Sequence, residues 1–210
     1  MLLHDLAERG IRDARVLAAF GAVPREAFVA TAEIDQAYAD MPLPIGCGQT
    51  ISQPYVVALT AQAMELGAGA HVLEVGTGSG YAAAILGRLA RRVDTVERIA
   101  GLAAAAEATL ARLGVANVFV HRGDGSLGWL AGAPFDAIAV AAAARLVPPA
   151  LLAQLAVGGR LVMPVGTADD QQLVRITRTN AGYTQDELGV VRFVPLIGAE
   201  GWARDPRFGP

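Results

Sequence analysis

The chain has 210 residues, of which 53% are hydrophobic, 18% charged and 6% aromatic. That is enough chain for one domain with a sizeable core, so disulfide or metal staples are not required and disorder is excluded. A formal net charge of −3 lacks the basic surplus of proteins that grip phosphate backbones, so no nucleic-acid partner is expected.

The first ten residues, M-L-L-H-D-L-A-E-R-G, carry charges at once and no apolar signal core, which predicts a cytoplasmic protein. Residues 2–21 predict a helix with Leu3, Leu6, Ile11, Val16, Leu17 and Phe20 on its apolar face. Val23-Pro24 closes it, and a second helix is expected around 25–31. Residues 40–54, D-M-P-L-P-I-G-C-G-Q-T-I-S-Q-P, are punctuated by proline and glycine and predict a long loop of the kind that often carries function. This loop holds the single cysteine, Cys47, so no intrachain disulfide can form, as suits a reducing compartment. Nothing near Cys47 in sequence would activate it, and it reads as incidental. A helix follows from Pro54 to Leu66.

From residue 71 strands and helices alternate. Strands are expected at His71–Val75, Arg92–Glu97, Val118–His121 and Phe135–Ala141, then at Arg160–Val165, Leu173–Arg178 and Val191–Leu196. Helices are expected at Gly80–Ala90, Ala100–Leu113 and Pro149–Leu155. Continuous apolar strands alternating with helices predict an α/β fold with a mostly parallel sheet covered on both faces. The stretch from Thr179 to Val190 is too short for a helical crossover, so the last two strands are expected to be antiparallel. The purest apolar run, Ala137–Ala144, is too short to span a bilayer, so no membrane partner is expected. His4, His71 and His121 lie far apart without metal-ligand spacing, and no metal site is expected. His71 and His121 read as structural or solvent-facing rather than catalytic, and Trp129 and Phe135 as core.

The sharpest local signal is V-L-E-V-G-T-G-S-G at 72–80, between a strand and a helix. In that context glycines allow close backbone approach, and the helix N-terminal amides face a ligand at the carboxyl end of the strand. The glycines are Gly76, Gly78 and Gly80, spaced G-x-G-x-G, whereas the dinucleotide fingerprint is G-x-G-x-x-G and would want glycine at Tyr81. With Glu74 before it, this run resembles the first motif of class I S-adenosylmethionine-dependent methyltransferases. Glu97 in T-V-E-R ends the second strand, where a carboxylate can accept from both ribose hydroxyls of adenosylmethionine or of NAD. Asp124 in R-G-D-G ends the third strand, where methyltransferases of this class often place an acid against the adenine amino group. Each feature has a plainer reading: a tight turn for the glycines, a helix cap for Glu97, a turn pair for Asp124-Gly125. Their order at successive strand ends is more specific than any one of them.

Longer segments resemble the protein-L-isoaspartate (D-aspartate) O-methyltransferase family. They are V-P-R-E-A-F-V at 23–29, L-P-I-G-C-G-Q-T-I-S-Q-P at 43–54, V-L-E-V-G-T-G-S-G-Y at 72–81, T-V-E-R-I at 95–99 and G-D-G at 123–125. P-F-D-A-I at 134–138, Q-L-A-V-G-G-R-L-V-M-P-V-G at 154–166 and V-R-F-V-P-L-I-G at 191–198 complete nearly the whole chain. The resemblance implies a Rossmann-like core over 67–210 that binds S-adenosylmethionine. Residues 1–66 would supply N-terminal helices and a covering loop, in one compact domain. It implies methylation of the α-carboxylate of L-isoaspartyl residues in damaged peptides and proteins, with repair through a succinimide and S-adenosylhomocysteine as the product. The family's active-site serine falls on Ser52. Cofactor-binding residues would be Gln49, Thr50, Ile51, Glu74, Gly76, Thr77, Gly78, Gly80, Glu97, Arg98, Asp124 and Gly125. Substrate would meet Ser52, Gln53, Val194 and Leu196, and the enzyme would act as a monomer. Two departures stand out: Ala141 where relatives often have threonine, and Arg145 where proline often follows the alanines. Trp202 resembles a tryptophan of some relatives.

Carboxyl methylation needs no strong base, because a carboxylate with a pKa of about 4 is already ionised at neutral pH. A hydroxyl that donates one hydrogen bond can orient it without quenching its nucleophilicity. Ser52 therefore reads as a positioner, with Thr50 as a helper and no local histidine to support a covalent role. The plainer reading of Ser52 is a cap for the helix at 54–66, a role that could coexist with positioning. Three other functions remain open: a related carboxyl methyltransferase for one dedicated peptide or small molecule, a non-catalytic S-adenosylmethionine-binding module, and an NAD-dependent oxidoreductase. Against the last stand the glycine spacing and the lack of a hydride-transfer acid.

Overall fold

The computed structural model describes residues 2–206. The N-terminal helix expected over 2–21 is two helices, α1 (Leu2–Glu8) and α2 (Ala14–Ala22). Gly10 breaks the run with φ +95°, and Asp13 restarts it by accepting from the Arg15 amide at 2.8 Å. The helix expected at 25–31 is a 3₁₀ turn, Arg25–Phe28, followed by another, Thr31–Gln36. The loop at 40–54 contains a small hairpin, β1 (Leu43–Gly46) and β2 (Gln49–Ile51). Its turn carries positive φ at Gly46, Cys47 and Gly48, which explains why glycines flank the cysteine. Helix α3 (Pro54–Ala63) follows with proline in its first turn.

The core strands lie close to their expected places: β3 (His71–Val75), β4 (Arg92–Glu97), β5 (Val118–Arg122) and β6 (Phe135–Val140). Between and after them run α4 (Tyr81–Leu89), α5 (Ala100–Arg112) and α6 (Pro149–Ala153). The C-terminal strands are longer than expected and partly displaced: β7 (Leu155–Gly166), β8 (Gln171–Thr179) and β9 (Gly182–Val191). The strand expected at Val191–Leu196 is not one. The stretch expected to connect the last two strands, Thr179 to Val190, holds most of the last strand, and a tight turn after Thr179 suffices to reverse the chain. Polar alternation in G-Y-T-Q-D-E-L-G-V-V hid it, because an edge strand is solvated on much of its surface.

The sheet order is β5-β4-β3-β6-β7-β8-β9, parallel through β7 and antiparallel across β7–β8 and β8–β9. The antiparallel C-terminal pairing follows the expectation from chain length. The connectivity reverses direction between β3 and β6, which opens a crevice at the carboxyl ends of those two strands. One face of the sheet packs against α1–α4 through residues such as Leu6, Phe20, Val57, Val72 and Ile85. The other packs Leu73, Ile138, Phe135 and Leu151 under α6 and the 3₁₀ turns. No helix among the described residues is long and apolar enough to cross a membrane.

Candidate active site

The crevice is a cavity of about 480 Å³ at the carboxyl ends of β3, β4 and β6. Of the residues expected to bind cofactor or substrate, Gln49, Thr50, Ile51, Ser52, Gly76, Thr77, Gly78, Glu97, Arg98, Gly125, Val194 and Leu196 line it. Gly80 lies behind the lining and serves the backbone. It caps α4 with φ +88°, and a Cβ there would sit 3.3 Å from the Ala106 side chain. Gly78 (φ +55°) leaves the loop open beside the Ile45 side chain, where a Cβ would come to 3.3 Å.

Glu97 ties the loop together. Its Oε2 accepts the Gly78 amide at 3.0 Å and its Oε1 accepts the Ile99 amide at 2.8 Å. Each oxygen keeps a further lone pair, so a ribose diol can still be bound. Glu74 does not line this cavity. It is buried, in register with Thr95, and faces a small void of about 40 Å³ bounded also by Ser52, Ala82 and Ala141. Thr95 Oγ1 donates to Glu74 Oε2 at 2.5 Å, and Thr95 and Thr77 share a 2.6 Å hydroxyl contact. A buried carboxyl thus connects through two hydroxyls to the cavity wall at Thr77. Burial pushes the Glu74 carboxyl up to about 8, against the lowering effect of the Thr95 bond and reinforced by Glu97.

Asp124 also lies outside the cavity wall. Its Oδ1 accepts the Ser126 amide and hydroxyl, at 2.9 and 2.7 Å, and its Oδ2 accepts the Ala199 amide at 2.7 Å. Burial raises this carboxyl, but the bonds from Ala199 and Ser126 and the charge of Arg98 outweigh it and hold it below its ordinary value. The residue both fulfils the turn reading and anchors the C-terminal segment over the site.

Ser52 joins three voids. It lines the 480 Å³ cavity, the small void above Glu74 and a third cavity of about 590 Å³ bounded by Gln53, Tyr55 and residues 188–194. Thr50, Ala141 and Val194 line both large cavities. Ser52 does not cap α3: its hydroxyl makes no hydrogen bond among the described residues, and the Tyr55 amide is capped by Asp40 at 3.0 Å. A free hydroxyl therefore stands where the two large cavities meet.

Several wall residues carried no signal in the sequence. Ile99 and Tyr81 adjoin expected positions, but Ala203, Arg204 and Asp205 enter from the chain's end. The end is folded back by Trp202, whose Nε1 donates to the Ala143 carbonyl at 3.1 Å, while the Arg145 guanidinium lies 4.5 Å over its ring. Arg145, a departure from the family pattern, and Trp202 thus form one contact. Cys47 lies at the cavity lip and is exposed. Among the described residues no group of three or more His, Cys, Asp or Glu could hold a metal ion.

Residues 1–201 match the family model described as protein-L-isoaspartate(D-aspartate) O-methyltransferase. A protein-L-isoaspartate O-methyltransferase of Rhodopseudomonas palustris CGA009 is 57% identical over 96% of this chain and 94% of that protein. A protein-L-isoaspartate O-methyltransferase 2 of Marinobacter nauticus is 56% identical over 96% of this chain and 93% of that one. Among solved structures, a protein-L-isoaspartate O-methyltransferase superposes with a TM-score of 0.86 at 29% identity, covering 95% of this chain and 66% of that chain. A Plasmodium falciparum protein of the same description, in complex with S-adenosyl-L-homocysteine, gives 0.80 at 28% identity, covering 93% and 96%.

Proposed function

Because the chain belongs to the protein-L-isoaspartate(D-aspartate) O-methyltransferase family, we propose that it methylates the α-carboxylate of isoaspartyl residues in peptides and proteins, with S-adenosylmethionine as cofactor. The observation that carries the reading is the Ser52 hydroxyl, without a hydrogen-bond partner among the described residues, at the junction of the two large cavities. The glycine-loop cavity fits the cofactor: Glu97 keeps lone pairs for a ribose, Gly78 keeps the loop free of a side chain, and Thr77 offers a hydroxyl. Bound there, S-adenosylmethionine supplies an activated methyl on a sulfonium sulfur.

The second cavity is the proposed peptide groove, with Gln53, Val194 and neighbouring backbone along one wall. The isoaspartyl carboxylate arrives ionised, so no residue must remove a proton. Ser52 donates one hydrogen bond to one carboxylate oxygen and leaves the other to attack. Thr50, on β2 two residues earlier, can hold the same group. The apolar wall formed by Ala141, Ala142 and Val194 sheds water from the nucleophile without adding a cation that would over-stabilise it. Ala141, where relatives often carry threonine, leaves hydroxyl chemistry at this junction to Ser52 and Thr50. We place the enzyme in a reducing, cytoplasmic setting, as the lone cysteine supports.

The test pairs two synthetic peptides that differ only in isoaspartate or aspartate at one position. Methyl transfer to the isoaspartyl peptide alone, read by mass spectrometry and released S-adenosylhomocysteine, is the expected result. Ser52→Ala is expected to lower kcat by about 100-fold with cofactor affinity intact. Cofactor binding without transfer to either peptide would replace this reading with a dedicated substrate or a binding role.

A further inference from the structure

The residues that follow Ser52 are held by Asp40, a residue that nothing above assigns to the reaction. Its carboxylate gathers three donors. Oδ1 accepts the Tyr55 amide at 3.0 Å, and Oδ2 accepts Gln53 Nε2 at 2.6 Å as well as Arg9 Nη1. Tyr55 lies in the first turn of α3, so Asp40 provides the N-terminal cap that the local side chains do not. The Arg9 guanidinium also stacks 3.5 Å over the Tyr55 ring.

Two of these donors flank Pro54, and Gln53 follows Ser52 directly. On the other side of Ser52, Ile51 pairs with Leu43 across the β1–β2 hairpin. Ser52 is therefore bracketed by two attachments to one short segment, residues 40–43. That segment is fixed to the core by Arg25, which is fully buried. Arg25 Nε donates to the Ala37 carbonyl at 2.7 Å and Nη2 to the Met41 carbonyl at 3.3 Å. A continuous chain of bonds thus runs from the buried Arg25, through Asp40, to the residues on either side of Pro54.

We propose that Asp40 is a positioning residue for methyl transfer, holding Ser52 at the junction of the two cavities by capping α3 and fixing Gln53. The ion pair with Arg9 adds little to global stability, since the Asp40 and Arg9 side chains are 29% and 45% exposed. Neither Asp40 nor Arg9 lines the glycine-loop cavity, so cofactor affinity stays outside the effect. The inference rests on the proposed activity.

Asp40→Asn keeps the shape but turns an NH2 toward the Gln53 and Arg9 donors. It is expected to fold, to bind S-adenosylmethionine within about twofold of wild type, and to lose about 10-fold in kcat on the isoaspartyl peptide. In the Ser52→Ala background the same change is expected to cost less than about twofold, because Asp40 acts through the serine. Single-turnover transfer of a labelled methyl reads these slow rates. Should Ser52→Ala show no measurable transfer, the split between kcat and cofactor affinity in Asp40→Asn decides alone. Unchanged kcat, an equal loss in both backgrounds, a comparable loss of cofactor affinity, or failure to fold would each overturn the assignment. Wild-type protein runs in parallel: no transfer by wild type would defeat the proposed function itself, a different failure from any of these.

Discussion

Glu74 and Asp94 sit on adjacent strands of one sheet, 1% and 0% exposed, and meet opposite fates. Asp94 is opposite Leu73 in the β3–β4 register, and Glu74 is opposite Thr95, so the two carboxyls face opposite sides of the sheet. Asp94 is saturated: Arg92 binds it through two nitrogens at 2.8 Å, His71 Nε2 lies at 2.5 Å and His121 Nε2 at 2.7 Å. Burial raises the Asp94 carboxyl, yet the bonds from Arg92, His121 and His71 together hold it well below the carboxylate range. Glu74 has one hydroxyl donor and stays high, at about 8. A buried acid that serves only the fold is paired in full. The acid under the proposed cofactor cavity is left with capacity for something else.

Replacing Asp94 should have the largest effect, since it takes the charge and one acceptor oxygen from a guanidinium and two imidazoles. Asp94→Asn is expected to cost about 2–3 kcal/mol in urea unfolding, because the Arg92 side chain it leaves is 39% exposed and solvated. The cofactor affinity of the folded fraction should be unchanged, because the cluster does not line the cavity. The sign with pH follows from the depressed carboxyl. Its stabilisation is complete above the unfolded value of about 3.9 and is lost as pH falls through the folded value. Wild type should therefore show a steeper acid limb below about pH 4 than Asp94→Asn, which keeps only the contribution of acids such as Asp124.

Glu74→Gln should show the opposite slope. The unfolded carboxyl ionises near about 4.3, while the native one keeps its proton to about 8. The native state binds the extra proton across that window, so wild-type stability falls as pH rises through it. The amide cannot ionise, so the variant should melt above wild type at pH 8.5 and converge with it near pH 4. Its affinity for the cationic cofactor at pH 7 is expected to stay within about twofold of wild type, because the native carboxyl is already uncharged there. Equal pH slopes in Glu74→Gln and wild type would end the contrast.

His121→Ala removes one donor to Asp94 and a ring stacked on Trp129 at 4.0 Å. A loss of about 1–2 kcal/mol is expected by thermal or urea unfolding, short of the Asp94 effect because Arg92 and His71 remain.

The two regions were not equally legible in the sequence. The glycine loop and Glu97 announce themselves because their chemistry is local: three glycines, a strand before and a helix after. The His71–Asp94–His121 cluster depends on the register of three parallel strands, which no spacing along the chain encodes, and its histidines read only as structural. Asp40 looked like an ordinary loop acid because its partners lie 13, 15 and 31 residues away. The break of the first helix at Gly10 was readable in principle, yet apolar periodicity carried the reading across it. The role of the segment over the cavity was not readable even though Trp202 resembled a tryptophan of some relatives, since it is fixed by a backbone carbonyl rather than by any motif.

The finest test acts on Glu74 without touching it. Thr95→Val keeps the shape of the side chain and deletes the only donor to Glu74 among the described residues. A neutral carboxyl that loses one such bond should cost the fold only about 1 kcal/mol. Its titration, followed by carboxyl-carbon NMR on the folded protein, should move upward from the wild-type position, because the Thr95 bond works against burial. The same deletion cuts the hydroxyl link between Glu74 and Thr77, so cofactor affinity should fall in Thr95→Val while Ser52-dependent transfer at saturating cofactor stays within about twofold. A downward or absent shift would mean that Thr95 does not govern the acid, and the contrast with the saturated Asp94 would then rest on burial alone.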